Sequence, residues 1–169
     1  MGDGFSIRRA RTADVPSIQR LIEPLVREQV LLGKAPVIFY ESVQEFRIAY
    51  DSAGRVIGCG ALHVMWDDLA EVRTLAVVPE WLGKGVGYAL VSQLEVDARD
   101  LGVGRLFCLT FEVDFFRRQG FDVLDEAGID SRVYSEIAQS SDEGVAEFLD
   151  VSRVKPNTLG NTRMLKYLS

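Results

Sequence analysis

Gly83, Gly85 and Gly87 stand at alternate positions in Leu82-Gly-Lys-Gly-Val-Gly-Tyr88, just after an apolar, strand-like run that stops at Pro79. Without Cβ atoms the backbone can close tightly on a ligand, and the amides that open the following helix have no intrahelical partner. Together with the positive end of the helix dipole they favour a phosphate or pyrophosphate. A glycine turn that merely caps a helix is the alternative reading. Upstream, strand alternation sends Glu71, Arg73, Leu75 and Val77 to one face, so a carboxylate and a guanidinium lead toward the glycine loop. The donor fork of Arg73 suits a substrate carboxylate and Glu71 suits an amine, while an ion pair at the strand's exposed start would also account for both.

Spacing separates the phosphate-binding motifs. The loop lacks G-x-x-x-x-G-K-[ST], which excludes a Walker A loop. Its glycines run G-x-G-x-G in mid-chain rather than G-x-G-x-x-G at the start of a repeated βαβ unit, which argues against a dinucleotide fold. The stretch resembles motif A of the GCN5-related N-acetyltransferases (GNAT), [QR]-x-x-G-x-[GA], with Gly85 and Gly87 in the glycine positions and Val78-Pro79 upstream. Leu82 departs from the pattern, standing where the family prefers Gln or Arg. Phe111-Glu-Val-Asp-Phe-Phe-Arg-Arg-Gln-Gly-Phe121 resembles motif B, a short helix ending in x-G-F; the tyrosine the family commonly uses there to protonate the leaving thiolate is Phe116 in this chain.

The resemblance implies a single-domain α/β (α+β) fold over residues 1–169, with a central mixed antiparallel and parallel sheet flanked by helices. It implies acetyl-CoA as co-substrate and no metal. Leu75, Ala76 and Val77 would line the thioester arm, with backbone donors for the oxyanion; Leu82, Gly83, Lys84, Gly85, Val86, Gly87 and Tyr88 would hold the pyrophosphate, and Phe115 and Arg118 of motif B would complete the cofactor site. Taken with Cys59-Gly-Ala-Leu-His-Val64 and Leu109-Thr-Phe-Glu112, the tail Lys155-Pro-Asn-Thr-Leu-Gly-Asn-Thr-Arg163 looks like that of the short N-acetylglutamate synthases of arginine biosynthesis that lack a kinase domain. On that likeness Lys34, Arg73, Thr74, Lys155, Asn157, Asn161 and Arg163 would bind the amino acid. Glu71 would be the general base, and Thr110, the nearest hydroxyl in sequence, would replace the missing tyrosine acid. Glutamine or another amine as acceptor, a protein amine, and a non-catalytic acetyl-CoA sensor remain open.

Composition bounds the partners. A chain of 169 residues can bury most of its apolar surface as one domain. Its net charge of −6, with no basic block, argues against nucleic acid. No apolar run reaches the length of a membrane span and the N-terminus lacks the layout of a signal peptide, so a cytoplasmic protein with no membrane partner is expected. A homodimer stays open. Cys59 and Cys108 lie in apolar runs and read as buried, reduced thiols; with one histidine, zinc would lack ligands. His63 reads as a core or rim residue rather than a catalyst.

The elements that must position these groups follow from periodicity. Residues 5–9 alternate as an edge strand. Thr12 is the expected N-cap of a helix over Val15–Val26 that Pro24 should kink or break, leaving a second short helix. Residues 31–40 read as a loop with Lys34 exposed. Phe46–Asp51, a turn at Gly54 and Val56–Met65 form a hairpin that continues into residues 70–78 as a three-strand meander. Leu90, Leu94, Ala98 and Leu101 mark the core face of the helix after the glycine loop. Arg105–Thr110 is a buried strand parallel to the one before it, and Arg163–Leu168 a final strand. Residues 125–147 read as a connection.

Overall fold

The computed structural model describes residues 4–31, 33–124 and 162–169. Seven strands form a mixed sheet: β1 (Phe5–Arg9), β2 (Phe46–Asp51), β3 (Val56–Trp66), β4 (Leu69–Val77), β5 (Arg105–Thr110), β6 (Asp122–Val123) and β7 (Thr162–Tyr167), in the order β1-β2-β3-β4-β5-β7-β6. The helices are α1 (Val15–Arg27), α2 (Pro36–Glu41), α3 (Val86–Asp100) and α4 (Val113–Arg118). The chain divides into two compact units, Met1–His63 with Val72–Leu101, and Val64–Glu71 with Gly102–Ser169; β3 and β4 each contribute to both.

In the first unit β1, β2 and β3 pair antiparallel, and alternation gives the sheet two apolar faces. Phe46, Ile48, Cys59, Ala61 and Ala76 meet Val15, Ile18 and Ile22 of α1, whereas Ala49, Ile57, Leu75 and Val77 meet Val86 and Leu90 of α3. Helices thus cover opposite faces. In the second unit Leu69, Ala70 and Glu71 of β4 run parallel to Arg105, Leu106 and Phe107 of β5, as expected, and β5 pairs antiparallel with β7. Leu69, Phe107 and Leu165 form its apolar centre. Asp68 joins the strand starts: its carbonyl accepts from the Gly104 and Arg105 amides, and its carboxylate takes a two-point bond from the Arg105 guanidinium at 2.8 and 3.1 Å.

Several expectations need correction. α1 runs unbroken through Pro24: the proline forgoes one N–H, the bond to the Arg20 carbonyl, while the apolar face of the helix stays packed and the Pro24 carbonyl still accepts from Glu28. Thr12 is no cap; it opens a 3-10 turn ahead of α1, and Asp14 does the anchoring, accepting from the Arg11 amide at 2.7 Å and from Arg8 at 2.8 and 3.0 Å. The stretch expected as loop contains α2, with Pro36 at its first turn, where a fixed φ favours the helix. Lys34 is half-buried rather than exposed. Leu101 is 62% exposed and not part of the core face of α3. The short strand β6 pairs with β7, although two residues carry no readable period. The connection at 125–147 lies outside the described residues.

Candidate acyl-transfer site

The glycine loop enters α3 as the spacing requires. Gly85 is the N-cap of α3 at φ 85°, and Gly83 has φ 75°; both lie in the left-handed region where a side chain is strained. Among the described residues, beyond the neighbouring backbone of the loop itself, no atom lies within 4 Å of where a Cβ on either would stand. The space over the loop is therefore open to a ligand, and the backbone conformation rather than crowding requires glycine. Val86 is buried at 1% exposure against α3's own core, so only its backbone can serve a ligand. Leu82 and Tyr88 are exposed at 63% and 61%. The Lys84 ammonium sits 5.1 Å from the centroid of the Trp81 ring, which Phe5 meets edge-on, so the loop's one cation is held at the loop. These groups suit a pyrophosphate with a thioester arm running along β4.

Along β4, Ala76 turns toward the α1 face while Leu75 and Val77 turn toward α3, so the strand alternates from Leu75 to Val77. Arg73 and Thr74 are half-buried in the same unit, as is Lys34. Thr74 has φ 54°, a left-handed conformation rare for a β-branched residue and a place where strain is stored. Nothing in the sequence pattern signals this.

The second unit holds Glu71, Thr110, Phe115, Arg118 and Arg163. Glu71 is 3% exposed and in register with Phe107. Burial, and after it the nearby Glu71 carboxylate, push the Cys108 thiol well above its ordinary value, so Cys108 stays protonated. Thr110 is buried, and its hydroxyl oxygen accepts from the Glu112 amide at 2.8 Å, which leaves the O–H to donate. Phe116, in the place of the tyrosine, is buried between edge-on Phe115 and Phe121 rings and has become a core residue. Phe115 and Arg163 are half-buried and Arg118 is exposed. Lys155, Asn157 and Asn161 lie outside the described residues. His63 is half-buried, its Nδ1 3.0 Å from a Glu45 carboxylate oxygen. Both cysteines are free and buried. Among the described residues no three His, Cys, Asp or Glu side chains could hold a metal, and no helix is long and apolar enough to cross a membrane.

The acetyltransferase (GNAT) family model matches residues 17–121, which include the loop, the central strand and α4. This chain belongs to the GNAT family. An amino-acid acetyltransferase from Mycobacterium tuberculosis is 51% identical over 164 residues, covering 96% of this chain and 94% of the relative. A crystal structure of a Mycobacterium tuberculosis protein in complex with CoA and NLQ superposes with a TM-score of 0.89 at 51% identity, covering 97% of this chain and 99% of that one. N-acetylglutamate synthase from Neisseria gonorrhoeae, complexed with coenzyme A and N-acetyl-glutamate, superposes with a TM-score of 0.77 at 26% identity; it matches 98% of this chain, which spans 35% of the gonococcal one. The chain is thus a GNAT enzyme of the amino-acid acetyltransferase type, with acetyl-CoA as co-substrate.

Proposed function

We propose that residues 1–169 act as one N-acetyltransferase domain that moves the acetyl group of acetyl-CoA to the α-amino group of L-glutamate, the first step of arginine biosynthesis, in the cytoplasm. The observation that carries the acyl-CoA half is the open loop over Gly83 and Gly85 at the start of a long helix. The glutamate half is supported by Arg73 on the strand leading into that loop and by the likeness to a synthase whose structure contains N-acetyl-glutamate.

In this reading the loop amides from Leu82 to Tyr88 hold the pyrophosphate, with Lys84 adding a positive charge and Phe115 and Arg118 completing the cofactor site. Arg73, with Lys34, Thr74, Lys155, Asn157, Asn161 and Arg163, takes the carboxylates of glutamate. Glu71 accepts a proton from the substrate ammonium, directly or through a water. The freed amine nitrogen attacks the thioester carbonyl carbon, and backbone amides between Leu75 and Val77 receive the developing oxyanion. The C–N bond forms, the nitrogen sheds its second proton to solvent as the C–S bond breaks, and the CoA thiolate leaves with a proton from water, directly or relayed by Thr110, which solvent reprotonates. The products are N-acetylglutamate and CoA.

Thiol release from acetyl-CoA, measured across the twenty amino acids, tests the assignment. Glutamate should give the highest kcat/KM. Preference for glutamine or another amino acid would move the substrate, and acetyl-CoA binding without thiol release would make the chain a sensor.

A further inference from the structure

Three consecutive residues of β3, Gly58-Cys59-Gly60, are fitted to the part of β4 that carries the strained Thr74. The Cys59 thiol, fully buried, donates to the Thr74 carbonyl at 3.3 Å, while the Ala76 amide points at the same sulfur. One side chain therefore bridges the groups on either side of Leu75. Burial pushes the Cys59 thiol up to about 12, against which the Ala76 amide pulls down, so the S–H that makes the bond to Thr74 is present at neutral pH.

The flanking glycines leave room for the same segment. A Cβ on Gly58 would stand 3.2 Å from the Ala76 carbonyl oxygen and 3.0 and 3.1 Å from the Val86 and Leu90 side chains of α3; one on Gly60 would stand 3.1 Å from the Leu75 side chain and 3.3 Å from Leu94. Just beyond, the Val78 amide donates to the Ile57 carbonyl at 2.9 Å. Residues 74–78 are thus held point by point by residues 57–60. A left-handed threonine is strained and persists only where its surroundings over-determine it. Here the bond from Cys59 falls on the carbonyl that this conformation presents.

We propose that Cys59 is a positioning residue for acetyl transfer: by holding the Thr74 carbonyl and meeting the Ala76 amide it keeps Thr74 left-handed and sets the direction of the backbone donors from Leu75 to Val77. The inference rests on the reading of those donors as the oxyanion site. It assigns no chemistry to the sulfur, which neither reacts nor touches substrate.

The test uses the full chain with Cys59→Ala and Cys59→Ser. Serine keeps one donor and one acceptor; alanine removes both. Amide shifts of Leu75, Ala76 and Val77 in ligand-free protein read the strand itself, kcat and KM read the transfer, and calorimetry reads acetyl-CoA affinity. The expected result is displaced amide shifts in Cys59→Ala and a kcat lowered about 2- to 13-fold, the loss of one hydrogen bond. Acetyl-CoA affinity should be nearly unchanged, and Cys59→Ser should recover most of both readouts. Unmoved amide shifts in Cys59→Ala would overturn the bridge. Displaced shifts with wild-type kcat, or equal losses in the serine and alanine variants, would overturn its role in transfer. A wild-type chain inactive with every amino acid would instead count against the acetyl-transfer reading and overturn the catalytic role with it, leaving the bridge to be judged by the shifts.

Discussion

Arg47 of β2 and Asp97 of α3 meet through two hydrogen bonds of 2.8 and 2.7 Å, with side chains only 15% and 11% exposed. Gln93, one turn earlier on α3, adds a third bond to the same carboxylate at 3.2 Å. This pair ties the helix that follows the glycine loop to the sheet beneath it. Burial disfavours the charged Asp97, but the bonds from Arg47 and Gln93 outweigh it and hold the carboxyl below its ordinary value.

A folded value below the unfolded one means that the pair's stabilisation is complete above about pH 4 and is lost as pH falls through the folded value. Removing one partner of a buried pair leaves the other uncompensated, so Arg47→Ala should cost roughly 3 kcal/mol and lower Tm by about 6 to 12 °C near neutral pH. The gap between variant and wild type should shrink as pH falls from the point where the unpartnered Asp97 of the variant takes up its proton, which burial raises, down through the lower wild-type value. Calorimetric melts between neutral and strongly acidic pH check this, and a gap independent of pH would remove Asp97 as its source.

Gly85→Ala and Gly85→Glu separate folding from binding. Among the described residues the Cβ meets no atom beyond the loop's own backbone, so alanine should cost only the left-handed backbone penalty of about 1 to 2 kcal/mol. Glutamate places a carboxylate at the proposed pyrophosphate site and should abolish measurable acetyl-CoA binding by calorimetry. Unchanged affinity in a folded Gly85→Glu chain would place the co-substrate elsewhere.

Arg73→Ala should raise the KM for glutamate roughly 10- to 150-fold, the worth of a charge-assisted bond, with acetyl-CoA affinity nearly intact. Steady-state kinetics with each substrate varied in turn decide it. Wild-type glutamate kinetics would make Arg73 a structural ion-pair residue.

Glu71→Gln should lower kcat by about 10²- to 10⁴-fold, the range for a positioned base. Thr110→Val should cost less, because solvent can protonate a CoA thiolate, but it also strips the Glu112 amide of its acceptor. Thr110→Ser keeps that bond and should behave as wild type. A Glu71→Gln enzyme that retains its activity and its acidic pH limb would send the proton elsewhere.

The amino-acid sequence by itself determined the order and type of most elements around the site. Glycines at alternate positions after Pro79 marked a helix start open to a ligand, because that signal is local backbone chemistry. β5 showed as a short apolar run after Gly102 and Gly104, and the hairpin at Gly54 followed from alternation and a turn glycine, for the same reason. What needs a neighbour distant in the chain was not legible. Phe116 became core only because Phe115 and Phe121 close on it, Asp97 drew its partner from fifty residues away, and Cys59 read as an inert thiol until the fold set it beside Thr74. The left-handed Thr74 is the clearest case. No propensity puts a β-branched residue there, and its conformation was decided by the strand packed against it, since such strain is held only by tertiary contacts.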